Sequence, residues 1–416
     1  MNTHNKLAAA LLMTLLLGAC QDDNQTTLAE SFSTARLNSP IGADFSPQTL
    51  SSPSGTGLNA SRDAVEFISP LSGAYQASSP SSQQLLSDEY WFSVSGADLN
   101  RGVGLNLTQG GAVIRIAPRA DMSSGALYHA EPIAPETLQL QAPKGAQIPN
   151  LVRSMADSQA LASAGMNDDS SALLLSPAAP AGEYRLKSRT TLDSRGQYLV
   201  NVKEKGSPYK LHLSNPMSAE LGSEALALNL SLDGVDSTLH TRARIRHAGE
   251  EYPVAISGDD GQRQLEVPQT LGREISAELS EILIDVEASG ADVTVKRTIK
   301  SAVRLYSPSG RIQQDVVVKR QQGTPVAVIF QLELAGAGRF EASAVVTGID
   351  ASGNEVAIHR TQAAAWLDGS GTLALPLSRE LIEQSGLKPP FQLRELKLAD
   401  QGQMATLSYQ DRALTL

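Results

Sequence analysis

From about residue 61 onward, apolar and polar positions alternate with period two in short runs. Tyr90, Phe92 and Val94 form one run, Val103, Leu105 and Leu107 the next, and Ala112, Ile114 and Ile116 a third. Tyr198, Val200 and Val202 continue the pattern, and Leu211 with Leu213 follows. Gly, Pro, Asn, Asp or Ser clusters bound each run. Successive side chains of a strand point to opposite faces, so this pattern predicts half-buried antiparallel strands. Beyond residue 216 the same alternation returns in Leu226, Leu228, Leu230 and Leu232 and stops at Asp233-Gly234. Beyond residue 303 it returns in Val328, Phe330, Leu332 and Leu334, then in Phe340, Ala342, Ala344 and Val346, with Asp350 to Asn354 as a hairpin turn. Helical spacing is confined to a Leu, Met and Ala cluster over 150–165 and to Arg379–Ser385, which Ser378 can cap and Gly386 can end. The expected fold class is all-β: tandem antiparallel β-sandwich domains over 61–215, 216–302 and 303–416. No period of solenoid or propeller length runs through the chain.

The N-terminus follows a different rule. Lys6 precedes an apolar run, Leu7 to Leu17, broken only by Thr14 and about half the length needed to span a bilayer. It closes in Leu17-Gly18-Ala19-Cys20, which resembles the lipobox of bacterial lipoproteins. Residues 1–19 therefore read as a lipoprotein signal peptide and Cys20 as the lipidation site, its thiol carrying the acyl anchor. Gln21 rather than Asp follows the cysteine, which favours an outer-membrane lipoprotein facing the periplasm or the cell surface. Residues 20–60 are rich in Ser, Thr, Gln, Pro and Gly and are expected to form a flexible tether, with Leu37 to Phe45 as a part that can pack on the body.

Composition narrows the function. Lys+Arg number 34 against Asp+Glu 44, a formal net charge of −10, which argues against a nucleic-acid partner. Cys20 is the only cysteine, so no internal disulfide and no Cys-based zinc site can form. The hydrophobic share of 41% is enough for cores, and the aromatic share of 4% disfavours an extended sugar-binding surface.

Motif chemistry is sparse. HExxH, P-loop, GxGxxG and GxSxG are absent. Two SxxK strings, Ser207 to Lys210 and Ser385 to Lys388, fall at a strand start and a helix end, the wrong contexts for a serine nucleophile. Arg242, Arg244 and Arg246 alternate along one predicted strand and therefore share a face. They are candidates for binding an anion, against the plainer reading of a solvated face paired with Glu250 and Glu251. His240 and His247 fall on opposite faces of that strand. Among acidic turns, Asp259, Asp260 and Asp350 are calcium candidates, since loops of exported sandwiches supply oxygen ligands. No other cofactor is implied. Trp91 and Trp366 lie in apolar strand contexts and are expected in cores rather than on a sugar-stacking platform.

Glu89-Tyr90-Trp91, Val94 to Leu99, Gly111 to Pro118 and Gly182 to Tyr209 resemble a family of exported bacterial proteins, domain-of-unknown-function family 4785. The resemblance spans most of 61–416. It implies a jelly-roll-like first sandwich followed by immunoglobulin-like domains and carries over no catalytic residue. The expectation for function is a lipid-anchored envelope protein that binds or scaffolds an envelope protein partner. The alternative is an envelope enzyme or hydrolase accessory whose site is assembled from separated loops.

Overall fold

The computed structural model describes residues 29–53, 61–77, 82–121, 127–221, 223, 225–259, 261–268, 271, 278–290 and 293–416. The signal peptide, Cys20 and Asp260 lie outside the described residues. The described chain is all-β, built from sheets that are antiparallel except for the pairing of Ser218–Glu220 with Thr294–Tyr306, stacked as three sandwiches.

The first sandwich runs from strand Glu89–Ser95 to strand Gln197–Lys203. One sheet carries the order Glu89–Ser95, Gln197–Lys203, Val113–Asp121, Ser171–Leu175 and Val152–Ala156. The other carries Val103–Leu107, Gly182–Ser188 and Leu138–Gln141. The inward phase of each strand fills the core with Tyr90, Leu105, Ile114, Tyr184, Tyr198 and Val200. Within the predicted helix over 150–165, only Ser158–Ser163 is helical. Val152–Ala156 instead pairs with Ser171–Leu175, because a sheet partner is available there.

In the second sandwich, strand Ala225–Leu232 shows the alternation most strictly: each Leu is buried and each intervening residue is exposed. Every fully buried Leu contributes about 1.5–3 kcal/mol. One sheet includes Ser82–Ser87, Leu211–Pro216 and Ala225–Leu232. The facing sheet includes Glu250–Val254, His240–His247, Ser280–Ser289 and Thr294–Tyr306. Ser82–Ser87 and Leu211–Pro216 are direct antiparallel neighbours. The first sandwich is thus an insertion between two adjacent strands of the second, and residues 82–87 and 211–215 of the expected 61–215 unit belong to that neighbour.

The third sandwich departs furthest from expectation. Residues 29–53 do not form a free tether. Glu30–Arg36 pairs along its whole length with Gly310–Gln321, and Phe45 bridges to Tyr409. Val65–Pro70 then pairs with Glu355–Leu367 as the edge strand of the opposite sheet. A polar segment tolerates this because an edge strand draws its binding from backbone hydrogen bonds, while Ala35 and Leu37 pack on the core. Ser378 caps helix Arg379–Gln384 as predicted, and Asp350–Asn354 forms the hairpin turn. Neither tryptophan is buried: both are partly exposed, and Trp366 lies under the Arg62 guanidinium.

Candidate binding cleft

The first and second sandwiches are joined by a buried ion pair. Glu204, just past strand Gln197–Lys203, meets Arg297 on strand Thr294–Tyr306 at 2.8 Å, with neither side chain exposed. Two charges out of water are tolerable only when their remaining hydrogen-bonding capacity is filled. Here it is. Glu204 accepts from the Thr108 and Gln109 backbone N–H groups and from the Thr108 hydroxyl. Arg297 donates to the Tyr209 and Lys296 carbonyls and to Ser207 Oγ. Ser207, the first residue of one SxxK string, is therefore part of this lock. Close by, Tyr90 exchanges hydrogen bonds with the backbone of Asn106, and its burial pushes its phenol well above the usual range.

Above the lock, the two sandwiches enclose a cleft of about 810 Å³. One wall is the edge strand Glu89–Ser95 of the first sandwich with Arg119 beside it. The other is the outer face of the second sandwich, where His240, Arg242, Arg244 and Arg246 stand in a row. The structure thus gathers the three alternating arginines onto one face and turns that face into the cleft. His247 points the other way, and its Nδ1 lies 2.8 Å from Ser280 Oγ.

The arginines are not equivalent. Arg244 pairs with Asp285 at 2.9 Å and with Glu251 at 3.4 Å. Arg246 pairs with Glu251 and Glu281. Arg242 lies directly across the sheet from Asp285, but that carboxylate is already taken. Its Oδ2 accepts from Arg244, and its Oδ1 accepts from the Thr298 hydroxyl, which in turn accepts from the Trp91 backbone N–H. Arg242 is exposed and has no acid partner among the described residues. On the facing wall, Arg119 donates to the neutral Ser93 hydroxyl at 3.1 Å. Cations outnumber carboxylates along the cleft, in a chain whose net charge is −10. Trp91 adds a partly exposed indole to the first wall.

The remaining sequence candidates do not converge on this cleft. Asp350 folds its carboxylate onto the Ser352 and Asn354 N–H groups of its own turn, which hold it below the usual carboxylate range. Asp259 is exposed on a separate loop. Among the described residues no group of three His, Cys, Asp or Glu side chains is placed to hold a metal. Ser385 donates to the Ile382 carbonyl as part of a helix end. Sequence reasoning missed Arg119, Glu204 and Arg297. Arg297 did leave a signal: it shares its strand phase with Val295 and Ile299, and an arginine at a core phase implies a buried partner.

Comparison with known proteins places this architecture. Residues 57–204 match the family model described as Domain of unknown function (DUF4785) N-terminal domain, and residues 309–416 match the corresponding C-terminal domain. Between them they cover well over half of the chain. No curated protein matches. A crystal structure of a DUF4785 family protein from Legionella pneumophila superposes with a TM-score of 0.68 at 19% identity, covering 90% of this chain and 99% of that one. At that identity the likeness shows the fold alone. The FN1–FN3 domains of chicken CNTN1 align over 76% of this chain with a TM-score of 0.20, too low to carry an argument.

Proposed function

The chain belongs to the domain-of-unknown-function 4785 family, and from that premise we propose that it is a lipid-anchored binding protein of the bacterial cell envelope. Its ligand or partner is received in the cleft between the first two sandwiches. The observation that carries this reading is the cleft itself: a fixed, locally cationic recess with an aromatic wall, set on a buried ion pair that holds its two sides together. Each carboxylate lining it is engaged by a cation: Glu251 by Arg244 and Arg246, Asp285 by Arg244, and Glu287 by Lys296 at 3.6 Å. That arrangement suits recognition of an anion and leaves His240 as the cleft's acid–base candidate outside these pairs.

Acylation at Cys20 and an outer-membrane location are part of the same proposal. The lipobox supports them, and the docked N-terminal strand gives them a geometry. Cys20 stands ten positions before Glu30, so the anchor reaches at most about 35 Å from the third sandwich.

Two experiments test the reading. Labelling of cells with a palmitate analogue should mark the wild-type chain and not Cys20→Ser; equal labelling of the two removes the anchor. In-cell crosslinking and pull-down of the full chain should recover a specific species that Trp91→Ala loses. Equal recovery with the variant would place binding elsewhere on the surface.

A further inference from the structure

We propose that the ligand of the cleft is an acidic saccharide: a sugar ring carrying a carboxylate or a phosphate. This rests on the binding reading above and names the chemistry that the walls recognise.

The anionic requirement comes from charge left over after internal pairing. Arg244 and Arg246 are neutralised by Glu251, Glu281 and Asp285, so the arginine row as a whole is not a free cationic strip. Arg242 is the exception, because its cross-strand carboxylate is saturated by Arg244 and Thr298. Arg119 supplies a second guanidinium, from a different sandwich, whose described contact is a neutral hydroxyl. A guanidinium is planar and presents paired N–H donors that match the two oxygens of a carboxylate or phosphate. Two of them on the walls of one recess select an oxyanion, and the surrounding negative chain makes the recess the place where such an anion is drawn.

The ring requirement comes from the rest of the lining. Trp91 shows part of its indole in the same recess, beside the hydroxyl-bearing Ser93 and Thr241. The C–H face of a pyranose packs on an indole while its hydroxyls meet side-chain hydroxyls. A bare inorganic anion uses none of that surface. The volume of about 810 Å³ lies within the range of small-ligand sites and exceeds what a lone phosphate fills.

The test is calorimetric titration of the full lipidated chain in detergent with four probes: trigalacturonate, glucose 6-phosphate, maltotriose and sodium phosphate. The expected result is binding of trigalacturonate, glucose 6-phosphate or both, at least tenfold tighter than either maltotriose or inorganic phosphate. Which of the first two binds identifies the source of the oxyanion. Arg242→Ala should weaken that binding at least tenfold with an unchanged melting temperature, and Trp91→Ala should weaken it without abolishing its salt dependence. Maltotriose binding as tightly as the acidic sugars, or phosphate binding as tightly as glucose 6-phosphate, overturns the proposal. So does failure of all four probes. If all four fail while the Trp91-dependent species is still crosslinked in cells, the saccharide assignment falls and the binding cleft stands. If the crosslinked species is also insensitive to Trp91→Ala, both fall.

Discussion

The two junctions between sandwiches solve the same problem in opposite ways. The second and third sandwiches are joined by a continuous strand run. Thr294–Tyr306 passes through Ser307, Pro308 and Ser309 into Gly310–Gln321, and a compact polar knot closes round the passage. Gln403 bonds to the backbone of Ser307 on both sides, and Asp400 accepts from Ser309 and from the Gln403 amide, all of them buried. The first and second sandwiches are linked by two chain passages, Ser87 to Glu89 and Lys203 to Leu211, and lean on one buried ion pair between groups far apart in sequence, Glu204 and Arg297; beside it they stand apart. The knot round Ser307 fills its space. The ion pair leaves a recess beside it, and that recess is where the unneutralised arginines lie.

The sharpest way to break the comparison is to remove the lock. Glu204→Ala leaves Arg297 buried without its counter-charge and the Thr108 and Gln109 N–H groups without an acceptor. The expected loss is about 3–5 kcal/mol. It is read from the urea midpoint of the transition that Trp91 fluorescence reports in a Trp366→Phe background. Glu204→Gln should cost less, since its amide oxygen still accepts from those N–H groups. A loss below about 1 kcal/mol in the alanine variant would mean that the sandwiches are held by other contacts.

Acid tests the far end of the molecule. His359, on the central part of strand Glu355–Leu367, is fully buried, and neither ring nitrogen has a hydrogen-bond partner. Burial pushes its pKa down to about 4 from an ordinary value of 6.5. The folded state therefore keeps the ring neutral while the unfolded state takes up a proton. Stability is full above pH 6.5 and falls as pH drops from there towards 4, by about 3 kcal/mol in all. His359→Phe should remove that part of the acid slope, measured from urea midpoints at a series of pH values. An unchanged slope would assign acid sensitivity to other groups.

At the polar knot round Ser307 the expected effect is smaller. Asp400→Ala leaves the Ser309 hydroxyl proton and the N–H groups of Gly402 and Gln403 without their acceptor, while the Gln403 amide keeps its bond to the Ser307 carbonyl. The cost is about 2 kcal/mol, since the loop of residues 401–404 can reach water when it opens. Thermal unfolding should show it as a lowered midpoint for the third sandwich. A loss equal to that of Glu204→Ala would erase the distinction between the junctions.

How much of this was legible in the chain follows from what each signal depends on. Period-two alternation reports which face of a strand is buried, and it named strands in all three sandwiches, though not Val152–Ala156, which read as helix. It is silent on which strand lies alongside. Ser82–Ser87 therefore read as part of the unit that follows it, although it pairs with Leu211–Pro216, across the whole inserted sandwich. Glu30–Arg36 has almost no apolar alternation, and its place at an edge is set by backbone pairing that composition does not encode. The arginine row was visible because one strand contains it. The wall it faces was not, because Trp91 and Arg119 come opposite it only through the docking of two domains. Trp91 itself was misplaced in a core, since its neighbours Tyr90 and Phe92 carry the inward phase and an apolar context cannot say which side a wide ring takes.

The smallest expected change in stability is the most informative about the cleft. Arg242→Ala removes a side chain that is exposed and has no acid partner among the described residues, so the unfolding free energy should stay within about 0.5 kcal/mol of wild type. Arg244→Ala, on the same face two positions along, removes one cation from each of Asp285 and Glu251 and should cost more, about 1 kcal/mol for partly exposed pairs. The two variants thus separate pairing from recognition. If Arg242 serves only the solvated face of a strand, its loss changes neither stability nor binding. If it is the unspent charge of the cleft, its loss leaves stability alone and weakens capture of an anion. A stability cost in Arg242→Ala equal to that in Arg244→Ala would show that Asp285 is shared between them, and the excess charge assigned to the cleft would disappear.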